Sequence, residues 1–362
     1  MKKIAFLTLS LMRGGAEGVI ARLCNDYLAE KYQITIITCR NCKIEYQMDE
    51  RIRVICIEKQ EASYRNMPER FLKRRSLLKG VLQEIEPDLL ISFLPEPNFL
   101  ALSLKKHFHF PMIISVRNDP KEEYKKGIYH MLMKYFYPKA DGAVFQTEQA
   151  REYFKFAENL YKHSSVIENP LGNQFCYLKP ATEREKVIVN VGRLDYQKNQ
   201  QMLMQAFAEM ADEIPSYVLK IYGSGKLKET LQQQIVDSKM EQRIILCGNV
   251  ADLKEQIQNA ALFVLCSDYE GMPNSLMEAM AMGIPCIATD CPCGGPKYLI
   301  EDGVNGKLIP VNDKEELIRA VKQMLGDTQY SQRMAENAVE RMKELYPEKI
   351  YAKWDTYIKN YL

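Results

Sequence analysis

Short β-branched runs alternate with helical periods along nearly the whole chain, and the alternation stops once and then restarts. The first series of strand-like runs falls at 3–10, 33–39, 53–58, 88–94, 111–117, 142–147 and 164–168. Helical periods fill most of the gaps, as at 16–30, 69–85, 121–137 and 148–157. "ENPLGNQFCYLKPATEREK" (168–186) then holds two prolines, a glycine and no sustained period, which reads as a linker. Strands follow again at 187–193, 217–223, 243–248, 261–266, 285–289 and 307–311. Helices are expected at 199–210, 226–238, 252–260, 275–282, 295–301 and 313–325. Such alternation dictates parallel sheets covered by helices on both faces. The fold class is therefore α/β: two doubly wound, Rossmann-like domains. Such sheets take ligands outside the carboxyl ends of their strands, so a cleft is expected there.

The 362 residues suffice for two cores. No apolar stretch reaches eighteen residues, and the basic, apolar start "MKKIAFLTLSLMRGG" suits a first buried strand better than a signal peptide. Ten cysteines are scattered, many inside strands, and the four histidines lack zinc-ligand spacing to them. Reduced thiols in a cytoplasmic protein follow. Residues 1–180 carry 28 Lys and Arg against 21 Asp and Glu; the rest carry 21 against 26. The basic first half points to an anionic partner. No strong basic stripe suggests nucleic acid.

Several loops at expected strand ends carry chemistry. "LSLMRGGAEGVIARL" (9–23) sets Gly14 and Gly15 before a helix. Two readings stay open: anion binding at the helix N-terminus, or a tight βα turn. It lacks the full dinucleotide fingerprint. "VNVGRLDYQKNQ" (189–200) places Arg193 and Lys198 on one loop, a forked and a point cation suited to a diphosphate or solvated on the surface. Gly223 and the "CGNV" segment bearing Asn249 and Val250 mark further turns. "DYEGMPNSLMEAMAMG" (268–283) holds Glu270 in a loop and Glu278 in the following helix. Ser275 and Glu278 have the spacing of a capping box. Glu270 is left free by that reading and can accept from sugar hydroxyls. Two carboxylates, Asp268 and Glu270, without a third ligand are poor evidence for a metal, and neither metal nor cofactor is expected.

Glu270-x7-Glu278 inside "EGMPNSLMEAMAMG" resembles the signature of retaining glycosyltransferases of the GT-B fold, family four. "RGGAE" (13–17), "VGRLDYQKN" (191–199), "YGSG" (222–225), "CGNV" (247–250) and "GPKYLIEDGVNGKLIPVND" (295–313) look like the same family in the same order. The terminal "PEKIYAKWDTY" resembles its last helix, which crosses back to the first domain. The resemblance implies an acceptor domain at 1–175 completed by 346–362, and a donor domain at 176–345. It also implies transfer from a nucleotide sugar, a UDP-sugar, to a saccharide or polyprenyl-diphosphate-linked acceptor. By the same resemblance Gly15 turns backbone N–H toward the diphosphate, and Arg193 and Lys198 hold it. Glu278 takes the ribose, and Glu270 takes the donor sugar beside Gly271, Met272, Pro273, Asn274 and Ser275. Asn249 and Val250 meet the base. Where the family often has a His, this chain has Arg117-Asn118-Asp119, so Arg117 or Asp119 takes up the sugar or acceptor contact. His107 and His109 read as surface residues. A UDP-sugar epimerase of the same architecture and an inactive nucleotide-sugar-binding partner are the competing readings. Basic helices at 64–82 and 122–139 suit either core packing or an anionic membrane surface, which would place the protein at the inner face of the plasma membrane.

Overall fold

A computed structural model describes residues 1–40, 42–58, 64–125, 127–181 and 183–362; Lys126 in the expected 121–137 helix and Thr182 in the linker lie outside them. The chain divides into two compact units, Met1–Pro170 with Glu348–Leu362, and Leu171–Pro347. The first holds β1 (Lys3–Thr8), β2 (Gln33–Thr38), β3 (Arg53–Cys56), β4 (Leu89–Phe93), β5 (Met112–Ser115), β6 (Gly142–Phe145) and β7 (Ser164–Val166), in spatial order β3-β2-β1-β4-β5-β6-β7. The second holds β8 (Glu185–Val191), β9 (Val218–Tyr222), β10 (Ile244–Gly248), β11 (Ala260–Leu265), β12 (Cys286–Thr289) and β13 (Lys307–Ile309), in order β10-β9-β8-β11-β12-β13. Every pairing between these strands is parallel. The central strands are buried along nearly their whole length, which is why they read as continuous apolar runs and not as alternations. Strand order reverses beside β1 in one sheet and beside β8 in the other, and the carboxyl ends of the strands at such a reversal are where sheets of this kind take ligands.

The expected strands all form. The 121–137 helix does not run through: it breaks into Pro120–Glu123 and Ile128–Phe136, with Gly127 between them at φ +73°. Gly supplies that backbone state at no steric cost and stands at the cap position that opens the second piece. The helix Met67–Ile85 is not a uniformly basic face. Its Arg74 turns inward and pairs with Glu58 at 2.6 Å and Glu96 at 2.5 Å. Among the described residues no helix is long and apolar enough to cross a membrane.

The terminal helix Pro347–Lys359 packs on the first unit. Trp354 is fully buried and stacks on Phe93 of β4, centroids 5.9 Å apart. Lys353 pairs with Glu168 at 2.8 Å, and the Tyr357 hydroxyl donates to the carbonyls of His163 and Ala143. Asp355 accepts from Tyr32 at 2.8 Å and pairs with Lys31 and Lys359. Burial alone would raise the Asp355 carboxyl, but bonds from Lys359, Tyr32 and Lys31 outweigh it and hold it at about 2. A depressed carboxylate stabilises the fold above its unfolded value, roughly pH 4, and loses that contribution as pH falls toward 2. Asp355→Asn should therefore lower the urea midpoint at pH 6 and converge on the wild type near pH 2. A gap of unchanged size at pH 2 would refute the assignment.

Candidate functional site

The strand order of the second unit reverses between β8 and β11, and the loops leaving those two strands meet there. The β8 loop runs from Gly192 into a 3-10 turn at Tyr196–Lys198. Asn199 follows in the left-handed region, φ 47°, and its side chain caps the helix Gln200–Glu209 by accepting from Met202 N–H. The Asn199 amide also donates to Asp268 at 2.9 Å and to Asn312 at 2.7 Å, tying the loop to its neighbours. Burial pushes the Asp268 carboxyl up, and the Asn199 bond opposes it.

The β11 loop carries Glu270, which is 5% exposed. Its backbone N–H donates to Pro292 O at 2.6 Å, and Cys293 N–H donates to Glu270 O at 2.9 Å. The loop is thus zipped to the loop after β12. A Cβ at Gly295 would stand 1.7 Å from Gly271 O, so this contact between loops requires glycine. Gly223 plays the same part beside β8: its φ is +135°, and a Cβ there would lie 2.0 Å from Gly192 O. Asn249 donates to the Ser224 hydroxyl at 2.9 Å on the same side of the sheet.

The two loops meet in an ion pair. Lys198 Nζ stands 2.5 Å from Glu270 Oε1, with side chains 13% and 7% exposed. Ser267 Oγ donates to the same oxygen at 2.6 Å. Gln197 Nε2 donates to Tyr269 O at 2.9 Å and braces the crossing. Arg193 is the outward cation of the loop, 70% exposed and 3.6 Å from Asp195. Lys198 and Glu270 were expected to face different parts of a ligand, yet they face each other across the strand-order reversal. Sequence reasoning missed Ser267, Gln197 and Asn199. Only Asn199 left a signal, an Asn directly ahead of a helical period.

The capping-box expectation fails. The helix Asn274–Ala281 begins one residue before Ser275, its cap position is Pro273, and no side chain caps it. Pro273 O instead accepts from Leu276 and Met277 N–H, so the proline carbonyl starts the helix. Ser275 lies inside the first turn, and half-buried Glu278 opens the second. Met272 and Pro273 are buried; Val250 is half-buried. Cys266, behind the loop, donates to the carbonyls of Lys198 and Asn199, and burial pushes its thiol up to about 12.

Gly14, Gly15, Arg117 and Asp119 belong to the first unit. Gly14 precedes the helix Gly15–Asp26 in extended backbone, and its N–H donates to the Tyr46 hydroxyl at 2.9 Å. Asp119 caps Pro120–Glu123 by accepting from Lys121 N–H; burial pushes its carboxyl up and that bond opposes it. Arg117 leaves the end of β5 and donates to Ser115 Oγ and Asn169 Oδ1. The site residues therefore fall into two sets, one in each unit.

The profile of the glycosyl transferases group 1 family matches residues 179–341, and that of the glycosyl transferase 4-like domain matches residues 14–161. One relative is the GalNAc-alpha-(1->4)-GalNAc-alpha-(1->3)-diNAcBac-PP-undecaprenol alpha-1,4-N-acetyl-D-galactosaminyltransferase of Campylobacter jejuni. It is 27% identical, over 98% of this chain and 97% of its own. A second C. jejuni relative, the N-acetylgalactosamine-N,N'-diacetylbacillosaminyl-diphospho-undecaprenol 4-alpha-N-acetylgalactosaminyltransferase, is 28% identical over 97% of each. Among solved structures, sucrose-phosphate synthase from Thermosynechococcus elongatus superposes with a TM-score of 0.85 at 18% identity, over 99% of each chain. Anabaena HepE in complex with UDP gives 0.79 at 20%, over 99% of this chain and 100% of its own.

Proposed function

Because the chain belongs to the group 1 glycosyltransferases of the GT-B fold, we propose that it moves a sugar from a UDP-sugar to a lipid-linked saccharide, with retention at the anomeric carbon. The observation that carries the reading is the Lys198–Glu270 pair at the β8–β11 reversal, with exposed Arg193 on the same loop. The leaving group is a nucleotide diphosphate. Preorganised cations where its charge develops lower the barrier, and Arg193 and Lys198 supply them with no metal needed. Among the described residues both bonds to the Glu270 carboxylate fall on Oε1, so Oε2 is the oxygen that accepts a donor-sugar hydroxyl. Glu278 takes the ribose hydroxyls, and Asn249 and Val250 flank the base. Retention follows from a short-lived oxocarbenium-like ion pair held on one face, and no protein nucleophile is invoked.

The lipid-linked acceptor is supported by the names of the two Campylobacter relatives, and the uridine nucleotide by the ligand of HepE. The helix Ile128–Phe136 supports action at a membrane surface. It exposes Ile128, Met131 and Tyr135, with Lys134 and Lys139 alongside.

The test pairs UDP-, GDP-, ADP- and CMP-sugars with a polyprenyl-diphosphate-linked saccharide. Mass spectrometry should find an extended glycolipid, and NMR an axial or equatorial linkage matching the donor, with turnover unchanged in EDTA. The same protein should float with anionic vesicles at low salt and not at high salt. Donor stabilisation without any glycoside product would sink the transferase reading.

A further inference from the structure

The first unit carries a cation that no carboxylate among the described residues neutralises. Arg117 stands where four strands end. Phe93 closes β4, Ser115 closes β5, Gln146 follows β6 and Asn169 follows β7. The guanidinium lies 5.3 Å from the Phe93 ring centroid, on the ring that Trp354 stacks against. One terminal nitrogen donates to Ser115 Oγ at 3.3 Å and the other to Asn169 Oδ1, which also accepts from Gln146 at 2.8 Å. Every one of these partners is neutral. Among the described residues no carboxylate pairs with Arg117, and its buried Nε has no acceptor. Burial pushes the guanidinium down to about 9, which still leaves it charged at neutral pH.

A partly buried charge without a counterion is costly, and a fixed protein cage that keeps one has a reason to do so. The cage fixes the fork's plane and holds it from below, through Phe93 and the terminal helix. It leaves donors uncommitted, and a guanidinium fork matches the paired oxygens of a phosphoryl group.

We infer that Arg117 is an anion receptor at the carboxyl end of the first sheet, and that its ligand is a diphosphate, borne either by the nucleotide or by the lipid anchor of the acceptor. The inference rests on the transferase reading for the choice of diphosphate. The neutral cage around the guanidinium stands independently of it.

Binding by full-length protein distinguishes the sources. Affinities are measured by calorimetry for UDP against uridine, and for farnesyl diphosphate against farnesol, in wild type, Arg117→Gln and Arg117→Lys. The Gln variant should lose on the order of 10- to 100-fold for one diphosphate and stay within about twofold for its phosphate-free counterpart. Lys, which keeps the charge and loses the fork, should fall between. Loss for UDP names the nucleotide as the source, and loss for farnesyl diphosphate names the lipid. Equal losses for a diphosphate and its phosphate-free partner would make Arg117 a structural strut and overturn the proposal. So would unchanged affinities in both variants. Should the Gln variant not fold, the Lys variant decides alone: a selective loss supports the receptor, and unchanged affinity refutes it. A wild type that binds a diphosphate but makes no glycoside would remove the transferase reading and leave the receptor standing.

Discussion

Lys198→Met should turn over its donor on the order of a hundred to a thousand times more slowly than the wild type, the usual loss when a preorganised electrostatic stabiliser is removed. Methionine keeps the apolar stem packed against the loop and deletes only the charge. The same change strands Glu270, which is left with the Ser267 hydroxyl alone on its buried oxygen. Breaking one side of a buried pair costs about 3–5 kcal/mol. Slow turnover in the single variant therefore mixes chemistry with instability. The double variant Lys198→Met/Glu270→Gln separates them. It removes both charges and should recover most of the lost thermal stability, yet it should stay at least a hundredfold slow. A stable double variant within tenfold of wild-type kcat would mean that the cation does not stabilise the leaving group.

The second large effect lies far from that loop. Trp354→Ala removes a fully buried side chain stacked on Phe93, a truncation that costs about 3–5 kcal/mol. For a unit of this size each kcal/mol moves the midpoint by about 2–4 °C, so calorimetry should show a drop of roughly 10 °C. Trp354→Phe should behave differently. It keeps a ring against Phe93 and removes an indole N–H that has no acceptor among the described residues. The lost volume and the removed unsatisfied donor then oppose each other, and the Phe variant should stay within about 2 kcal/mol of wild type. A Phe variant as unstable as the Ala variant would show that volume alone governs the site.

What could be read from the sequence divides along a physical line. Parallel strands buried on both faces leave continuous apolar runs, so both sheets were legible from local pattern. The helix Pro95–Ser103 was not. It is buried nearly all round and shows no polar stripe, and its prolines fall in the first turn, where they cost no hydrogen bond yet read as breakers. The helix Thr328–Met342 was also passed over, although it has a clear apolar face. Its cap, Asp327, follows the preceding helix directly and leaves no loop to mark the boundary. In the candidate site, glycines, cations and carboxylates were visible as residue types at strand ends. Their pairings were not. Lys198 and Glu270 are 72 positions apart, and Arg117 and Asn169 are 52 apart; only the fold brings each pair together. The capping box misled because Pro273 starts the helix through its carbonyl, a role that side-chain spacing does not encode.

The terminal helix sets an order of events during synthesis. The second unit is one uninterrupted stretch, Leu171–Pro347, and can close on itself as soon as it leaves the ribosome. The first unit is divided in sequence: Trp354, Asp355 and Tyr357, which pack on its sheet, are made only after the whole of the second unit. Domains usually mature from the N-terminus onward. Here the strands made earliest are covered only by a helix made after the intervening unit, so the first sheet is sealed late in synthesis.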